Sequence, residues 1–367
     1  MRIIAELVKK NVVLTVAFAA AVITALFVPP DSLYLGYLDW HTLLSLFSVL
    51  AVVTALRNIR FFFTLARQMV THFKTARSAI LAVVYITFIG SMLITNDMAL
   101  LIFLPLSYLV LSATGKERYL LFTFIMQNTA ANLGGMLTPF GNPQNLYLYS
   151  FFNIPTTEFM AILLFPFLTS LLLITLACLL VKPEPLTMAA ESAALPRGRV
   201  ALYLGMFILC LGMVLRFVPL FPGAAVIALI LLFADRSALK KVDYPLLLTF
   251  ACFFVFAGNM ARIEPIRELF SALLERSVLL TSVVASQFIS NVPAAILLAQ
   301  FTGNYRDLLI GVNIGGAGTL VASLAGLITY YEYKRLRPGK GREFMIMFTV
   351  ISFAFLLILV GLELIFR

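Results

Sequence analysis

Residues 132–145 read Asn132-Leu-Gly-Gly-Met-Leu-Thr-Pro-Phe-Gly-Asn-Pro-Gln-Asn145, with five glycines or prolines in the ten positions from 134 to 143. The stretch lies inside a run from Tyr119 to Thr157 that carries no charge, long enough for a membrane-spanning helix, which needs about 20 residues. A lipid-facing helix does not tolerate such a break, because backbone freed from its ladder finds no water in the bilayer. The break must therefore be buried in protein or line a cavity, where its carbonyls are natural hard-cation ligands. A milder counterpart, Asn313-Ile-Gly-Gly-Ala-Gly-Thr319, interrupts a second apolar run. Alone it is weak, since glycine also serves close helix packing; its position gives it weight.

Each break follows an apolar hairpin. The second is the clearer: Val278 to Ser290 makes about 20 Å of helix and Val292 to Thr302 about 16 Å, both short of a ~30 Å hydrocarbon core. It must turn round inside. The first runs Ser78 to Thr95 and Asp97 to Thr114, about 27 Å per arm, and is read as re-entrant by analogy and because no polar connector separates its arms.

The rest of the chain agrees. Of 367 residues, 62 % are apolar and 12 % charged, against roughly 25 % charged in soluble domains. This excludes a soluble fold, disorder, nucleic-acid binding and a disulfide scaffold. Cys178, Cys210 and Cys252 fall one per apolar segment and read as core thiols. His41 and His72 are isolated, so neither a metal centre nor a histidine triad is expected. The run from Asn11 to Val28 exceeds a signal-peptide core and is read as a first span.

Spans are expected near 11–28, 41–56, 119–150, 158–181, 199–218, 222–234, 244–258, 307–331 and 344–366. Basic residues mark the cytoplasmic side. The connection from Asp31 to Asp39 holds two acids and no base, whereas Arg57 to Arg77 holds five bases and no acid. The N-terminus is therefore placed inside and, after nine spans, the C-terminus outside. With those boundaries, 21 of the 27 basic residues lie on the inner side. Arg216, near a span end, is expected to snorkel to the interface.

The order of elements repeats. Residues 11–181 run span, span, amphipathic segment, hairpin, interrupted span, span, and 222–366 do the same. Phe62, Leu65, Met69 and Phe73 form one amphipathic stripe and Ile263, Ile266, Phe270 and Leu273 the other. The expected architecture is an all-α polytopic membrane protein of two inverted-topology repeats, 1–181 and 222–367, joined by a linker and connecting span at 182–221. Inverted repeats with broken helices are the architecture of secondary transporters, whose site lies near the midplane.

The hairpins turn at Ile94-Thr95-Asn96-Asp97 and Ile289-Ser290-Asn291-Val292-Pro293. Asp97 is the only charged residue between Arg77 and Lys116, and a charge at that depth costs roughly 2.5–3.5 kcal/mol on insertion scales. One reading makes it an anion in the first turn of the returning helix, with Asn96 and Asn291 as helix caps. The other makes it a carboxylate that binds Na⁺ or exchanges a proton. The residues expected to bind cation and substrate are Thr95, Asn96, Asp97, Gly134, Gly135, Thr138, Pro139, Gly141, Asn142, Asn145, Ser290, Asn291, Gly315, Gly316, Gly318 and Thr319. Asn96, Asp97 and Asn291 are the expected Na⁺ ligands.

At Thr95-Asn96-Asp97, Thr138 to Asn145, Ser290-Asn291-Val292-Pro293 and the glycines of 315–318, the sequence resembles the ion-transporter superfamily of citrate-transporter-like permeases. That group includes sodium-coupled carboxylate symporters, arsenite permeases and sodium/proton antiporters. The resemblance implies cation- and substrate-binding S-N-T-like hairpin tips, an elevator-like transport domain hung from amphipathic arms, and a homodimer. Here the tip triplets are Thr-Asn-Asp and Ser-Asn-Val, more like the arsenite and antiporter branches. Small bacterial inner-membrane permeases are most similar. The expected function is secondary active transport of a small anion, carboxylate or inorganic oxyanion, coupled to Na⁺ or H⁺ and not enzymatic. A Na⁺/H⁺ antiporter or an arsenite-type permease is the alternative.

Overall fold

The structure, a computed structural model, describes residues 11–70, 72–186 and 195–366. Arg2, Lys9, Lys10 and Arg367 therefore lie outside the described residues. Among the described residues the fold is helical, the sole β feature being an isolated bridge between Thr75 and Pro185. The first half comprises α1 (Val12–Phe27), α2 (Tyr34–Tyr37), α3 (Trp40–Asn58), α4 (Phe61–Val70), α5 (Ala76–Ile94), α6 (Asn96–Ala113), α7 (Leu120–Gly134), α8 (Pro143–Phe151) and α9 (Thr156–Leu179). After α10 (Arg197–Val214) come α11 (Leu220–Ala234), α12 (Arg236–Lys240), α13 (Tyr244–Met260), α14 (Glu264–Arg276), α15 (Val278–Ile289), α16 (Asn291–Leu298), α17 (Tyr305–Gly315), α18 (Leu324–Leu336) and α19 (Gly341–Ile365). Six helices of 18 to 25 residues are long and apolar enough to cross a bilayer, so the chain is a multi-pass membrane protein.

Every expected span has a helix within about five residues of its predicted bounds, and both interrupted spans are broken, α7 from α8 and α17 from α18. Two of the six long helices, however, are α5 and α6, the arms of the hairpin expected to be re-entrant, whereas α1 and α11 are shorter. The amphipathic segment after α13 forms α14, turned by 95° from its predecessor. That is the geometry of a helix lying along an interface. Its counterpart α4 ends at Val70, so Phe73 lies beyond it.

Helix α3 is the interior post of one layer, buried almost throughout from Ser45 to Leu56 with Ser48, Ala51, Thr54 and Ala55 among its residues. Such small side chains let α10, α11 and α8 approach it closely, which is how helices associate where no hydrophobic drive separates them from lipid. Helix α1 packs along α13, with Asn259 Nδ2 donating to Thr24 Oγ1 at 3.2 Å. A second layer holds the hairpins and broken helices, flanked by α9 and α19. Its packing is reciprocal: α8 lies on α16 of the other half, and α18 lies on α6.

One end of the first layer is closed by Arg262, which donates to Asp31 at 2.8 Å and to the Tyr37 hydroxyl at 3.0 Å. The Arg262 hydrogen bond holds the Asp31 carboxyl below its usual value of 3.8. A depressed carboxylate stabilises the folded state above its unfolded pKa and loses that contribution as pH falls through the folded one. The thermal midpoint of the wild type should therefore drop relative to Asp31→Asn below about pH 4, and the two should keep a constant difference from pH 5 to 8.

The connection after α9 is tied down before it reaches residues 187–194, which lie outside the described residues. Glu184 accepts from Lys116 at 2.8 Å, from the Tyr119 hydroxyl at 2.9 Å and from Arg118. Backbone bonds Ala76 N to Glu184 O (2.8 Å) and Leu186 N to Lys74 O (2.9 Å) flank them. The expected linker is thus fastened across the base of the first hairpin along its first residues.

Candidate functional site

In both hairpins the first arm ends on isoleucine and the next residue takes a backbone that helix cannot follow. Thr95 has φ 72° and ψ 150°, Ser290 φ 73° and ψ 152°. Such a conformation costs a non-glycine residue on the order of 1–3 kcal/mol and persists only where the surroundings fix it. The fixing contacts are the same twice. The amide of Asn96 donates to Gly141 O at 3.0 Å and that of Asn291 to Ala322 O at 2.8 Å. The hydroxyl of Thr138 donates to Met92 O at 2.7 Å and that of Thr319 to Gln287 O at 2.9 Å. Met92 and Gln287 each lie four residues before the tip asparagine, in a last helical turn whose carbonyls lack intrahelical partners. Each broken helix thus supplies the bonds that its hairpin lacks.

This corrects the expected capping. The caps are Thr95 and Ser290, neither making a side-chain cap bond, and Asn96 and Asn291 are the first residues of their helices. Asn96 still serves one free amide of that turn, its Oδ1 accepting from Asp97 N at 2.9 Å, while its Nδ2 donates to Asn132 Oδ1 at 3.1 Å. The first-arm helices are admitted by glycine: a Cβ on Gly134 would stand 2.3 Å from Phe88 O, and one on Gly315 2.8 Å from the Ser286 side chain.

Between the two breaks lies a buried amide cluster. Asn132 Oδ1 also accepts from Ser323 Oγ at 2.8 Å, and Asn132 O from Asn142 Nδ2 at 3.0 Å. Asn313 donates to Asn145 Oδ1 at 2.7 Å and accepts from Asn142 and Gln144, both at 3.3 Å. Asn145 Nδ2 in turn gathers the carbonyls of Gly135, Met136 and Thr138. Asn132 Nδ2, Asn142 Oδ1 and Gln144 Oε1 have no partner among the described residues. Buried acceptors without donors are costly, and two amide oxygens of this sort suit a hard cation such as Na⁺.

Asp97 is the second residue of α6, in the first turn as expected, and its Oδ1 makes no hydrogen bond to this cluster among the described residues. It faces a cavity of about 40 Å³ lined by Thr95, Pro143, Leu46 and Leu50 of α3, Leu324 and, from the exposed start of α13, Asp243. Asp97 Oδ1 is enclosed and has no partner among the described residues, whereas Asp243 Oδ1 accepts from Leu246 N at 3.0 Å. The volume admits a water or a largely dehydrated cation and excludes a dicarboxylate. The cavity lies where the hairpin layer meets α3, so Asp97 sits on the seam between the two layers.

A family model for citrate transporters (CitMHS) matches residues 1–304. The chain belongs to the citrate transporter family. Two relatives are similar over most of their length: an uncharacterized transporter, MJ0456, of Methanocaldococcus jannaschii, 33 % identical over 89 % of this chain and 90 % of its own length, and the inner membrane protein YbiR of Escherichia coli K12, 30 % identical over 79 % of each. Among solved structures, the YdaH transporter of Alcanivorax borkumensis, described as having an unusual topology, superposes with a TM-score of 0.52 over 91 % of this chain and 88 % of its own at 13 % identity. That likeness concerns the fold alone.

In this citrate transporter family chain the expected residues divide by role. Asn96, Asn142 and Asn145 enter the amide cluster through their side chains, whereas Thr138 and Thr319 spend their hydroxyls on hairpin carbonyls. Gly134, Gly135, Gly141, Gly315, Gly316 and Gly318 permit close approach: a Cβ on each would fall within 2.9 Å of a neighbour. Pro139 lies in the loop between the Gly135–Leu137 turn and α8. Asn291 is buried beside Gly316. Arg216 does more than snorkel, donating to Tyr149 O at 3.1 Å at the end of α8 and lying over the Tyr149 ring.

Five participants were not expected as side-chain partners: Asn132, Asn313, Gln144, Ser323 and Asp243. For the first two a signal existed in the repeated Asn-x-Gly-Gly of 132–135 and 313–316, and the tips likewise share Ser-x-x-Ile-Thr/Ser-Asn at 91–96 and 286–291. Asp243, remote in sequence and capping an ordinary helix, carries no such mark.

Proposed function

We propose that the chain is a secondary active transporter of a small anion, coupled to Na⁺ or H⁺, built from two inverted-topology repeats at 1–181 and 222–367 joined through 182–221. The supporting observation is the matched pair of hairpin tips, alike in backbone, in docking bond and in threonine clasp, whose broken helices meet in one amide cluster. In this reading Asn96, Asn291 and the cluster oxygens of Asn142 and Gln144 hold Na⁺ and substrate at the midplane, and converging helix starts receive the anion. Asp97 is the coupling acid. Its place on the layer seam suits an elevator motion of hairpins and broken helices against α1, α3, α10, α11 and α13, in a homodimer in the inner membrane. The N-terminus lies in the cytoplasm and the C-terminus outside.

The small volume beside Asp97 favours one rival, a Na⁺/H⁺ antiporter, in which that cavity carries the whole cargo. Proteoliposomes under imposed Na⁺ and pH gradients separate the two. Concentrative uptake of labelled citrate, succinate, arsenite or phosphate that collapses with the ion gradient supports the symporter. Na⁺-driven proton flux with no anion movement across that panel replaces it with the antiporter.

A further inference from the structure

Where the interfacial helix α4 meets α6, the second arm of the first hairpin, a groove of about 420 Å³ opens. Its floor is apolar, from Phe62 and Phe63 on one side and Leu101, Ile102 and Pro105 on the other, and Arg57 and Arg60 complete its walls. Both arginines are exposed, and neither has a carboxylate partner among the described residues. Arg57 Nη1 lies 3.8 Å from Met98 Sδ, on the hairpin itself. Arg60 occupies the corner between α3 and α4 at φ 57°, a conformation that glycine would adopt without strain. The cationic side chain is therefore held at that corner against the local backbone preference.

Two uncompensated guanidinium groups over an apolar trough call for a ligand with an anionic head and a hydrocarbon body. Arginine forks match phosphate oxygens, and the side of a membrane that carries the basic loops faces anionic lipid. The five basic residues from Arg57 to Arg77 put this groove on that side. Leu101 is 46 % exposed and gives an acyl chain a surface to follow. We propose that the groove binds one anionic phospholipid, its phosphate on Arg57 and Arg60 and its acyl chain on the apolar surface that Leu101 exposes. The lipid bridges the interfacial arm to the helix that begins at Asn96 and Asp97, so its occupancy acts on the hairpin. This inference rests on the membrane reading and on no substrate assignment.

The full chain is reconstituted in phosphatidylcholine nanodiscs with rising fractions of phosphatidylglycerol, and its thermal midpoint is followed. The expected result is a saturable rise for the wild type, retained in R57K/R60K. In R57Q/R60Q the half-saturating lipid fraction should increase roughly tenfold or the rise should vanish. An R57Q/R60Q response equal to the wild type overturns the proposal. So does an equal rise on adding inorganic phosphate or glycerol phosphate to pure phosphatidylcholine discs, which would mark a small-anion site. If R57Q/R60Q fails to fold, Leu101→Trp fills the groove from an exposed position, and a lipid response undiminished in that variant likewise overturns it.

Discussion

Asp97→Asn is expected to abolish ion-coupled transport, by a factor of roughly 100 or more, with the protein folding at least as well as the wild type. Two opposing effects act on Asp97. At the start of α6 a carboxylate gains about 0.3–1 kcal/mol from the helix dipole. Enclosed with its Oδ1 unpartnered, it loses more, since an unsatisfied charged group costs upward of 1–3 kcal/mol. Asparagine keeps the shape and removes the charge, so the thermal midpoint should stay level or rise as coupling disappears. A variant with a lowered midpoint and unaltered ion dependence would return Asp97 to the role of a dipole anchor. Asp243→Asn provides the companion measurement, because it neutralises the other carboxylate at the same cavity while leaving an acceptor for the Leu246 amide. A shift in apparent ion affinity is expected there, without loss of transport.

The second large effect is expected from Gly134→Val. A Cβ at 134 would lie 2.3 Å from Phe88 O, a backbone atom that cannot step aside, so α7 must withdraw from α5 and the Thr138 and Gly141 clasps must release the tip. Overpacking of this kind costs typically 1–3 kcal/mol, and more with the branched side chain. Transport should be lost and the thermal midpoint should fall by several degrees. Gly315→Ala is expected to be milder, since its nearest obstruction is the Ser286 side chain. Gly205→Ala, with nothing within 4 Å of its Cβ in α10, should be neutral or gain roughly 0.5–1 kcal/mol. If Gly134 and Gly205 variants behaved alike, docking of hairpin on break would not be what glycine protects.

What could be read without coordinates follows from how strongly bilayer physics constrains a chain. Spans, hairpins and breaks were legible because charge exclusion and the obligatory helical ladder leave few ways to place Gly134 to Pro143. The amphipathic helix α14 was legible in its spacing, whereas its 95° turn from α13 was not. The cluster was less so: Asn132 and Asn313 stood inside the broken stretches, but Asn313 gains its partners only through the packing of α17 against α8, and Asn132 only through that of α7 against α6 and the start of α18. Capping was misplaced by one residue because a non-glycine φ near 72° at Thr95 and Ser290 is imposed by tertiary docking and has no local signature. The meeting of Asp97 with Asp243 depends on how α13 stands against the hairpin layer, which neither periodicity nor charge pattern records.

Both tips are expected to border one pocket opened to each side of the membrane in turn. This is tested by replacing Cys178, Cys210 and Cys252 and placing a single cysteine at Thr95 or at Ser290, a substitution close in size at each. Labelling in sealed vesicles with a membrane-impermeant thiol reagent, from either face, then reads their exposure. Both positions are expected to label from both faces, with the balance shifted by Na⁺ or pH. A tip that labels from one face only, under every ion condition, would contradict this.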